Sequence, residues 1–321
     1  MSFHENVLQI DPAQETGSVV DFVADEVHSV FRRNGIIVGI SGGVDSAVMA
    51  AIAVQALGKD NVLGLILPEK ESSPLSQQYA ARHAESLGIE YRTIDITTTV
   101  DSVFPYAKRD KFIKEIVPGY TPECKYNIVL PADLLDRDAY SVYSLTVQFP
   151  DGKVLKKRMS MAAFRTLTAF ADIKIRSRML HLYAEAERCN FVVAGTTNRT
   201  EMILGDFCKY GDGGTDIEAL AHLYKVQVYQ IGRYLDVIPE ILDRIPSPDT
   251  FSLPVSDQEF FFRIPFEKLD LLLFAWEHDI GGDETAAELN LSVDAVTRCF
   301  ADFTTKNRTT RHLREMPHSL D

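Results

Sequence analysis

The apolar positions of the N-terminal third alternate between short continuous runs and stripes with helical spacing. Residues 36–40 and 62–67 are apolar runs of the kind found in buried strands, and residues 91–96 are predicted as a third strand. Residues 44–57 form an almost wholly apolar helical stretch. A further amphipathic helix is predicted over residues 18–33, with these positions on its apolar face: Val20, Val23, Val27, Val30 and Phe31. Alternating strands and helices at this spacing predict an α/β fold with a parallel sheet, a Rossmann-like arrangement with helices on both faces.

A glycine-rich hexapeptide, Ser41-Gly42-Gly43-Val44-Asp45-Ser46, joins the first predicted strand to its helix. Two adjacent glycines let backbone N–H groups approach an anion closely, and the helix adds its positive N-terminal end. The serine hydroxyls can donate to phosphate oxygens, and Asp45 can hold a divalent metal. Because GxxxxGK[ST] is absent, the loop predicts a phosphate pose different from that of kinases. A turn in which Ser41 or Ser46 only caps the helix is the alternative.

Residues 118–165 interrupt the α/β pattern. Tyr143, Leu145, Val147 and Phe149 alternate with polar residues, and a Pro-Asp-Gly turn leads into residues 154–159, which predicts a β-hairpin. Two roles are equally favoured for this hairpin. It is either a surface elaboration or dimer contact, or a lid or wall that determines substrate specificity.

The pattern then resumes with a helix over residues 162–188 and a strand over 191–194. In the following GTTNRTE segment, Asn198 and Glu201 form a capping-box sequence, while Glu201 is also a candidate second carboxylate for magnesium. A glycine-dense loop, KYGDGG, begins at Lys209, and Lys225 opens the next predicted helix.

Composition narrows the class of protein. The chain has 321 residues and a formal net charge of −13, so it lacks the broad positive surface that nucleic acid requires, and no nucleic-acid partner is expected. Without a membrane-length apolar run or a signal-peptide pattern, we expect no membrane partner and a cytoplasmic location. The 4 scattered cysteines form no CxxC pair, which predicts reduced thiols.

The order of the motifs along the chain resembles that of the ammonia-dependent NAD synthetase family of ATP pyrophosphatases. These motifs are SGGVDS, the helix with Lys174 and Arg176, GTTNRTE, KYGDGG, Lys225 and the Pro-Ser-Pro-Asp segment at residues 246–249. The resemblance covers residues 18–117 and 166–253, with a weaker match in the tail. It implies a single ATP pyrophosphatase domain over residues 1–321, with a hairpin-containing insertion at 118–165 and a helical C-terminal extension at 255–321.

In that family the carboxylate of deamido-NAD attacks the α-phosphorus of ATP, and ammonia then displaces AMP from the acyl adenylate. The resemblance thus implies ATP and Mg²⁺ as cofactors, with the metal on Asp45 and Glu201. It assigns the nucleotide and pyrophosphate to Ser41, Gly42, Gly43, Ser46, Thr196, Lys225 and Ser247. It assigns the acyl substrate to Asp172, Arg176, Lys209, Asp212 and His312. Its catalytic positions correspond to Asp45, Lys209, Asp212 and Lys225.

Three departures from the family pattern fall on the acyl side. Asp172 replaces an asparagine, Leu313 replaces a lysine in the tail, and the hairpin precedes the Asp172 segment. A carboxylate suits an anionic substrate less well than an amide does, so a related amide synthetase acting on another carboxylate is the runner-up. Only 40 residues precede Ser41, which leaves no room for a glutaminase domain. We therefore expect free ammonia or a separate glutaminase as the source, and a homodimer as in the family.

A competing class comes from residues 284–298, which resemble a helix-turn-helix with Ser292 as the cap of its second helix. Arg298 is the only base on that second helix, and Asp294 lies near its start. Two packed helices at the end of an enzyme are therefore favoured over a DNA-binding element.

Overall fold

Two sheets and a set of helices make up the computed structural model, which describes residues 3–131, 134–136 and 142–320. The strands, in chain order, are β1 (Gly35–Gly39), β2 (Val62–Ile66), β3 (Glu90–Thr93), β4 (Lys125–Val129), β5 (Ser144–Gln148), β6 (Val154–Arg158) and β7 (Phe191–Ala194). The helices up to the fourth central strand are α1 (Pro12–Asp25), α2 (Val44–Leu57), α3 (Pro74–Leu87), α4 (Thr97–Val103), α5 (Tyr106–Ile116) and α6 (Met161–Cys189). Those after it are α7 (Arg199–Leu204), α8 (Lys225–Tyr234), α9 (Pro239–Leu242), α10 (Phe266–Glu277), α11 (Gly282–Glu288), α12 (Val293–Thr309) and α13 (Arg311–Arg314).

The central sheet is parallel and has the strand order β3-β2-β1-β7, which confirms the predicted α/β class. The pairing of β1 with β7 brings together two strands that are separated by about half the chain. The order therefore reverses at β1, and the SGGVDS loop leaves the sheet at this switch point. Open α/β sheets bind their ligands in the crevice at such a point.

Alternate strand residues face opposite helical layers. Ile36 and Val38 pack into the core formed with α1, α2 and α8, whereas Ile37 packs into the core formed with α4 and α6. Because both faces of β1 are covered, its sequence is apolar at every position rather than at every second one. The predicted helices on both faces are confirmed.

The first helix differs from its prediction in start and in burial. It begins at Pro12, with Asp11 as N-cap, and Glu26–Val30 continue it as a π-helical turn. Val23 and Val27 are buried as predicted, but Val30 and Phe31 are 58% and 37% exposed. The wider turn of a π-helix displaces the end of the apolar stripe from the core face.

The predicted hairpin is present and belongs to a three-stranded antiparallel sheet, β4-β5-β6. Its buried face packs on the N-terminal half of α6, where Leu167 lies, and on Phe251 from the loop after α9. The hairpin is thereby connected to the segment that carries Ser247.

The C-terminal helices α10 to α13 have their own core around Leu269, Leu273 and Phe303. Ser292 caps α12 by accepting from the Ala295 N–H at 3.2 Å. Arg298 donates to the carbonyl oxygens of Leu134 and Leu135 at 3.3 and 2.7 Å. The base that a DNA-binding helix would present is therefore used inside the protein.

Within the described residues, no helix is long and apolar enough to cross a membrane. The four cysteines are free, as predicted: Cys124, Cys189, Cys208 and Cys299.

Candidate active site

The phosphate loop is held in shape by its own side chains. Ser41 Oγ accepts from the Gly43 N–H at 3.2 Å and lies 3.1 Å from Ser46 Oγ, which in turn donates to the Gly43 carbonyl at 3.0 Å. Gly43 is the N-cap position of α2 and has no side-chain cap. The serines thus shape the loop in addition to any contact with a ligand, so the two alternatives for them are compatible.

Gly42 is required at its position for two reasons. Its φ is +81°, in the region that L-residues with a side chain rarely adopt. A Cβ atom there would also lie 2.4 Å from the carbonyl oxygen of Ser76 in the first turn of α3. The loop therefore passes directly against the start of α3, and its conformation depends on the absence of a side chain.

Asp45, Glu201 and Lys225 meet beside this loop, although they come from three separate segments. Lys225 Nζ lies 2.5 Å from Asp45 Oδ2 and 3.4 Å from Glu201 Oε1. Asp45 Oδ1 also accepts from Asn198 Nδ2 at 2.9 Å. The sequence segments SGGVDS, GTTNRTE and LYK therefore form one cluster at the switch point of the sheet.

The capping box predicted at the start of α7 is also present. Asn198 Oδ1 accepts from the Glu201 N–H at 3.1 Å, and Glu201 Oε2 accepts from the Asn198 N–H at 3.2 Å. Glu201 uses one carboxylate oxygen for the cap and turns the other toward Lys225. The capping box is therefore confirmed, and it leaves the second carboxylate oxygen compatible with the predicted metal role.

Burial dominates the electrostatics of the cluster. It raises the pKa of Glu201 well above its usual range; Lys225 opposes this shift, whereas Asp45 adds to it. Burial alone would lower the pKa of Lys225, but the two carboxylates outweigh it and raise that pKa well above its ordinary value. Lys225 therefore stays protonated near neutral pH, and its one ammonium group is shared between two carboxyl groups.

Thr196 and Ser247 are the remaining two side chains predicted to contact the nucleotide. Thr196 is half-buried in the loop after β7. Ser247 Oγ accepts from the Asp249 N–H at 3.3 Å, and Asp249 in turn accepts from the Ser73 N–H, at 3.3 Å, before α3. Ser247 thus belongs to a loop fastened to the same end of α3 that touches Gly42.

The residues predicted for the acyl substrate form a second group. Arg176 lies 3.8 Å from Asp172 and donates to the Lys209 carbonyl at 3.2 Å. Lys209 Nζ donates to the carbonyl oxygens of His312 and Glu315 at 2.9 and 2.7 Å. The tail is thereby tied to the KYGDGG loop, but the His312 side chain itself is exposed.

Asp212 belongs to this second group through its backbone contacts. Its carboxylate accepts from the Cys208 and Gly213 N–H groups at 2.6 and 3.1 Å. Although the residue has exposed surface, the protein atoms around its carboxyl group raise its pKa to about 6, against the opposing effect of these hydrogen bonds. Asp172 also has a raised pKa, because burial outweighs the attraction of Arg176.

Two further acids, missed by sequence reasoning, lie at this end of the sheet. Burial raises the pKa of Asp257 to about 6, with Lys225 opposing and Asp45 adding to the shift. Burial, Asp257 and Asp212 raise the pKa of Asp206 to about 8. Lys225 of the first group opposes this rise in the pKa of Asp206, so residues of both predicted groups act on this carboxyl group. Neither acid stands in a recognisable motif, so the sequence offered no signal for them.

A buried ionic network supports the site from the side of the hairpin. Lys174 Nζ, fully buried on α6, donates to Glu69 at 2.8 Å, Glu71 at 2.7 Å and the Thr250 carbonyl at 2.8 Å. It thus joins the loop after β2 to the loop that contains Ser247. The position of Lys174 in the KxRxR segment, close to Arg176, was the feature of the sequence that pointed to a role for it near the site.

The fold and this site define a nucleotide-binding α/β protein whose phosphate loop lies at the switch point of a parallel sheet. The family model for NAD synthase matches residues 15–119 and 143–317, leaving residues 120–142 between the matched ranges. Over 315 residues the chain is 40% identical to the NH(3)-dependent NAD(+) synthetase of Rhizobium meliloti strain 1021, covering 98% of this chain and 94% of that relative. The chain therefore belongs to the NAD synthase family, which uses ATP.

Solved structures share the fold at lower sequence identity. NMN synthetase from Francisella tularensis has a TM-score of 0.67 at 23% identity, covering 98% of this chain and all (100%) of that one. The NH3-dependent NAD synthetase from Campylobacter jejuni has a TM-score of 0.63 at 22% identity, covering 97% and 100% of the two chains.

Proposed function

We propose that the protein is a ligase that amidates deamido-NAD to NAD with ammonia, using ATP and releasing AMP and pyrophosphate. The observation that carries the proposal is the convergence of Asp45 and Glu201 on Lys225 beside the SGGVDS loop. These are the groups that a reaction at the phosphates of ATP requires, and they stand at the ligand-binding edge of the sheet. Relatives described as NH(3)-dependent NAD(+) synthetases support the choice of nitrogen donor.

The residues present fit Mg²⁺ held jointly with substrate phosphates. Asp45 and Glu201 keep side-chain exposures of 16% and 18%, so neither side chain is sealed from solvent. Among the described residues, no group of three or more acidic, His or Cys side chains is arranged as a metal site. Mg²⁺ is commonly bound by one or two carboxylates that leave its other positions to phosphate and water. Mg²⁺ bound there would neutralise charge on the triphosphate.

The chain's own groups favour departure of pyrophosphate. When the substrate carboxylate attacks the α-phosphorus, negative charge develops on the leaving pyrophosphate. The N–H groups at the start of α2 and the Lys225 ammonium are fixed beforehand around the loop where that charge develops. Preorganised donors in a partly dehydrated site stabilise a transition state more strongly than mobile water does.

The second group of residues is proposed to receive the acyl end and ammonia. Arg176 and Lys209 supply positive charge for an anionic substrate. A base with a pKa of about 6, as Asp212 has, is ionised near neutral pH and can accept a proton from the attacking nitrogen.

A related amide synthetase acting on another carboxylate is the second candidate. Asp172 favours it, since this half-buried carboxyl group lies 3.8 Å from Arg176 on the proposed acyl side. An amide at that position would leave Arg176 free for the substrate. Activity on deamido-NAD and on nicotinate mononucleotide, measured side by side, separates the two candidates.

We further propose a homodimer, with ammonia free or delivered by a separate glutaminase, and a cytoplasmic location where ATP is available. The exposed apolar side chains at the end of the first helical segment, Phe22, Val30 and Phe31, support an interface there. A monomer by light scattering at working concentration would contradict the dimer.

The test of the metal and phosphate chemistry is ATP–pyrophosphate exchange in the presence of deamido-NAD. We expect Asp45→Ala and Glu201→Ala each to lose exchange by at least about 100-fold, since removal of one preorganised electrostatic group has effects of this order. The exposed Asp60 supplies a matched control, Asp60→Ala, that should leave exchange unchanged. Near-normal exchange in both site variants would remove these carboxylates from the metal site.

A further inference from the structure

Arg244 contacts the phosphate loop although no motif marks it. Its Nη1 donates to the carbonyl oxygen of Gly42 at 3.5 Å. The residue is half-buried, follows α9 and lies three positions before Ser247. It therefore approaches the loop from the segment that also carries a proposed nucleotide-binding residue.

Arg244 forms no ion pair with a carboxylate of the described residues. Arg109 and Arg199, by contrast, are paired with Glu71 at 2.6 Å and with Glu277 at 2.5 Å. In the part of the chain that the structure describes, no carboxylate oxygen lies within ion-pair distance of the Arg244 guanidinium. Asp257 is near enough for Arg244 to lower its pKa, but the effect of Lys225 on that pKa is larger.

The positive charge near the phosphate loop comes from few side chains, so the Arg244 guanidinium is available to bind a phosphate group. Lys225 is shared between the two carboxylates at 2.5 and 3.4 Å, so only part of its field reaches a neighbouring phosphate. A guanidinium presents several N–H donors in a planar fork that matches phosphate oxygens. A second cation beside the loop, at Gly42, adds positive charge where pyrophosphate would leave.

We infer that Arg244 is a further pyrophosphate-binding residue, which acts with the SGGVDS loop on the leaving group. This assignment rests on the proposed function. The contact with the Gly42 carbonyl holds the guanidinium beside the loop, within reach of the oxygens of a bound phosphate group.

The direct test is calorimetric binding of pyrophosphate with Mg²⁺, and separately of AMP, to the full-length protein. Arg244→Gln should weaken pyrophosphate binding by about tenfold or more, the usual effect of losing a charged hydrogen bond, and should leave AMP binding unchanged. Arg244→Lys, which keeps the charge without the fork, should fall between. Arg82→Gln is the matched control, because Arg82 pairs with Glu240 on α9 but does not contact the loop; it should bind pyrophosphate as the wild type does.

Wild-type pyrophosphate affinity in Arg244→Gln would overturn the inference. An equal loss of AMP and pyrophosphate binding in Arg244→Gln and Arg244→Lys, together with a lower melting temperature, would also overturn it, since that pattern indicates a structural role. The wild-type assay for NAD formation is separate. If the wild type fails to make NAD while Arg244→Gln selectively loses pyrophosphate, the proposed substrate is wrong and the binding residue stands.

Discussion

Replacement of Gly42 by alanine tests the phosphate loop most sharply. A left-handed φ costs a residue with a side chain roughly 1–2 kcal/mol in folding free energy. The new Cβ would also lie 2.4 Å from the Ser76 carbonyl oxygen. Since a comfortable carbon–oxygen contact is about 3.3 Å, the loop must move by about 1 Å. A displacement of that size in a reacting group can cost about 100-fold in rate.

Gly58→Ala separates this displacement from simple backbone strain. Gly58 lies at the other end of α2, has a φ of +77° and has no atom within 4 Å of a built Cβ. We expect both variants to lose stability in denaturant unfolding, because each places a side chain at a positive φ, and Gly42→Ala to lose more because of its added contact with Ser76. Only Gly42→Ala should lose ATP–pyrophosphate exchange, by about 100-fold. Exchange in Gly42→Ala within about threefold of Gly58→Ala would refute the argument that the loop geometry carries the chemistry.

Three further variants test the charged groups. Lys225→Met leaves two carboxylates facing each other, so exchange should fall by about 100-fold or more, and Mg²⁺ should restore thermal stability without restoring exchange. Wild-type amide formation at constant free ammonia should decline as pH falls through about 6, because protonated Asp212 cannot accept a proton; Asp212→Asn should be slower and lack this decline while retaining exchange. Lys174→Met should destabilise the protein by about 3–5 kcal/mol in urea unfolding, since it leaves the buried Glu69 carboxylate without its cation and Glu71 with Arg109 alone, whereas exposed Lys108→Met should have almost no effect. Unchanged exchange in Lys225→Met, an unaltered pH profile in Asp212→Asn, or unaltered stability in Lys174→Met would contradict the corresponding expectation.

Local patterns predicted most of the central sheet and its helices, because burial on both faces produces continuous apolar runs. The predicted helix over residues 44–57 has the bounds of α2. Strand β4 was missed, since its residues 125–129 pair with β5 across a long connection that contains no local turn signal. The predicted burial of residues at the end of the first helix was wrong, because the π-helical turn at Glu26–Val30 alters the spacing on which the prediction relied.

The candidate site divides in the same way. The SGGVDS loop and the capping box at Asn198 follow from short-range chemistry, and both are present in the structure. The meeting of Asp45 with Lys225 follows from the order of the strands, which the motifs implied but did not determine. Asp257 and Arg244 arrive through tertiary packing alone, so no spacing in the sequence points to either. The assignment of individual residues to substrate remains a prediction.

The most direct measurement of the central claim is release of AMP and pyrophosphate from ATP with Mg²⁺ and ammonium, in the presence and absence of deamido-NAD. The account predicts release that depends on deamido-NAD, with NAD formed in an amount equal to the AMP. Release without deamido-NAD, or no stimulation by it in folded protein that binds ATP, would contradict the proposed substrate.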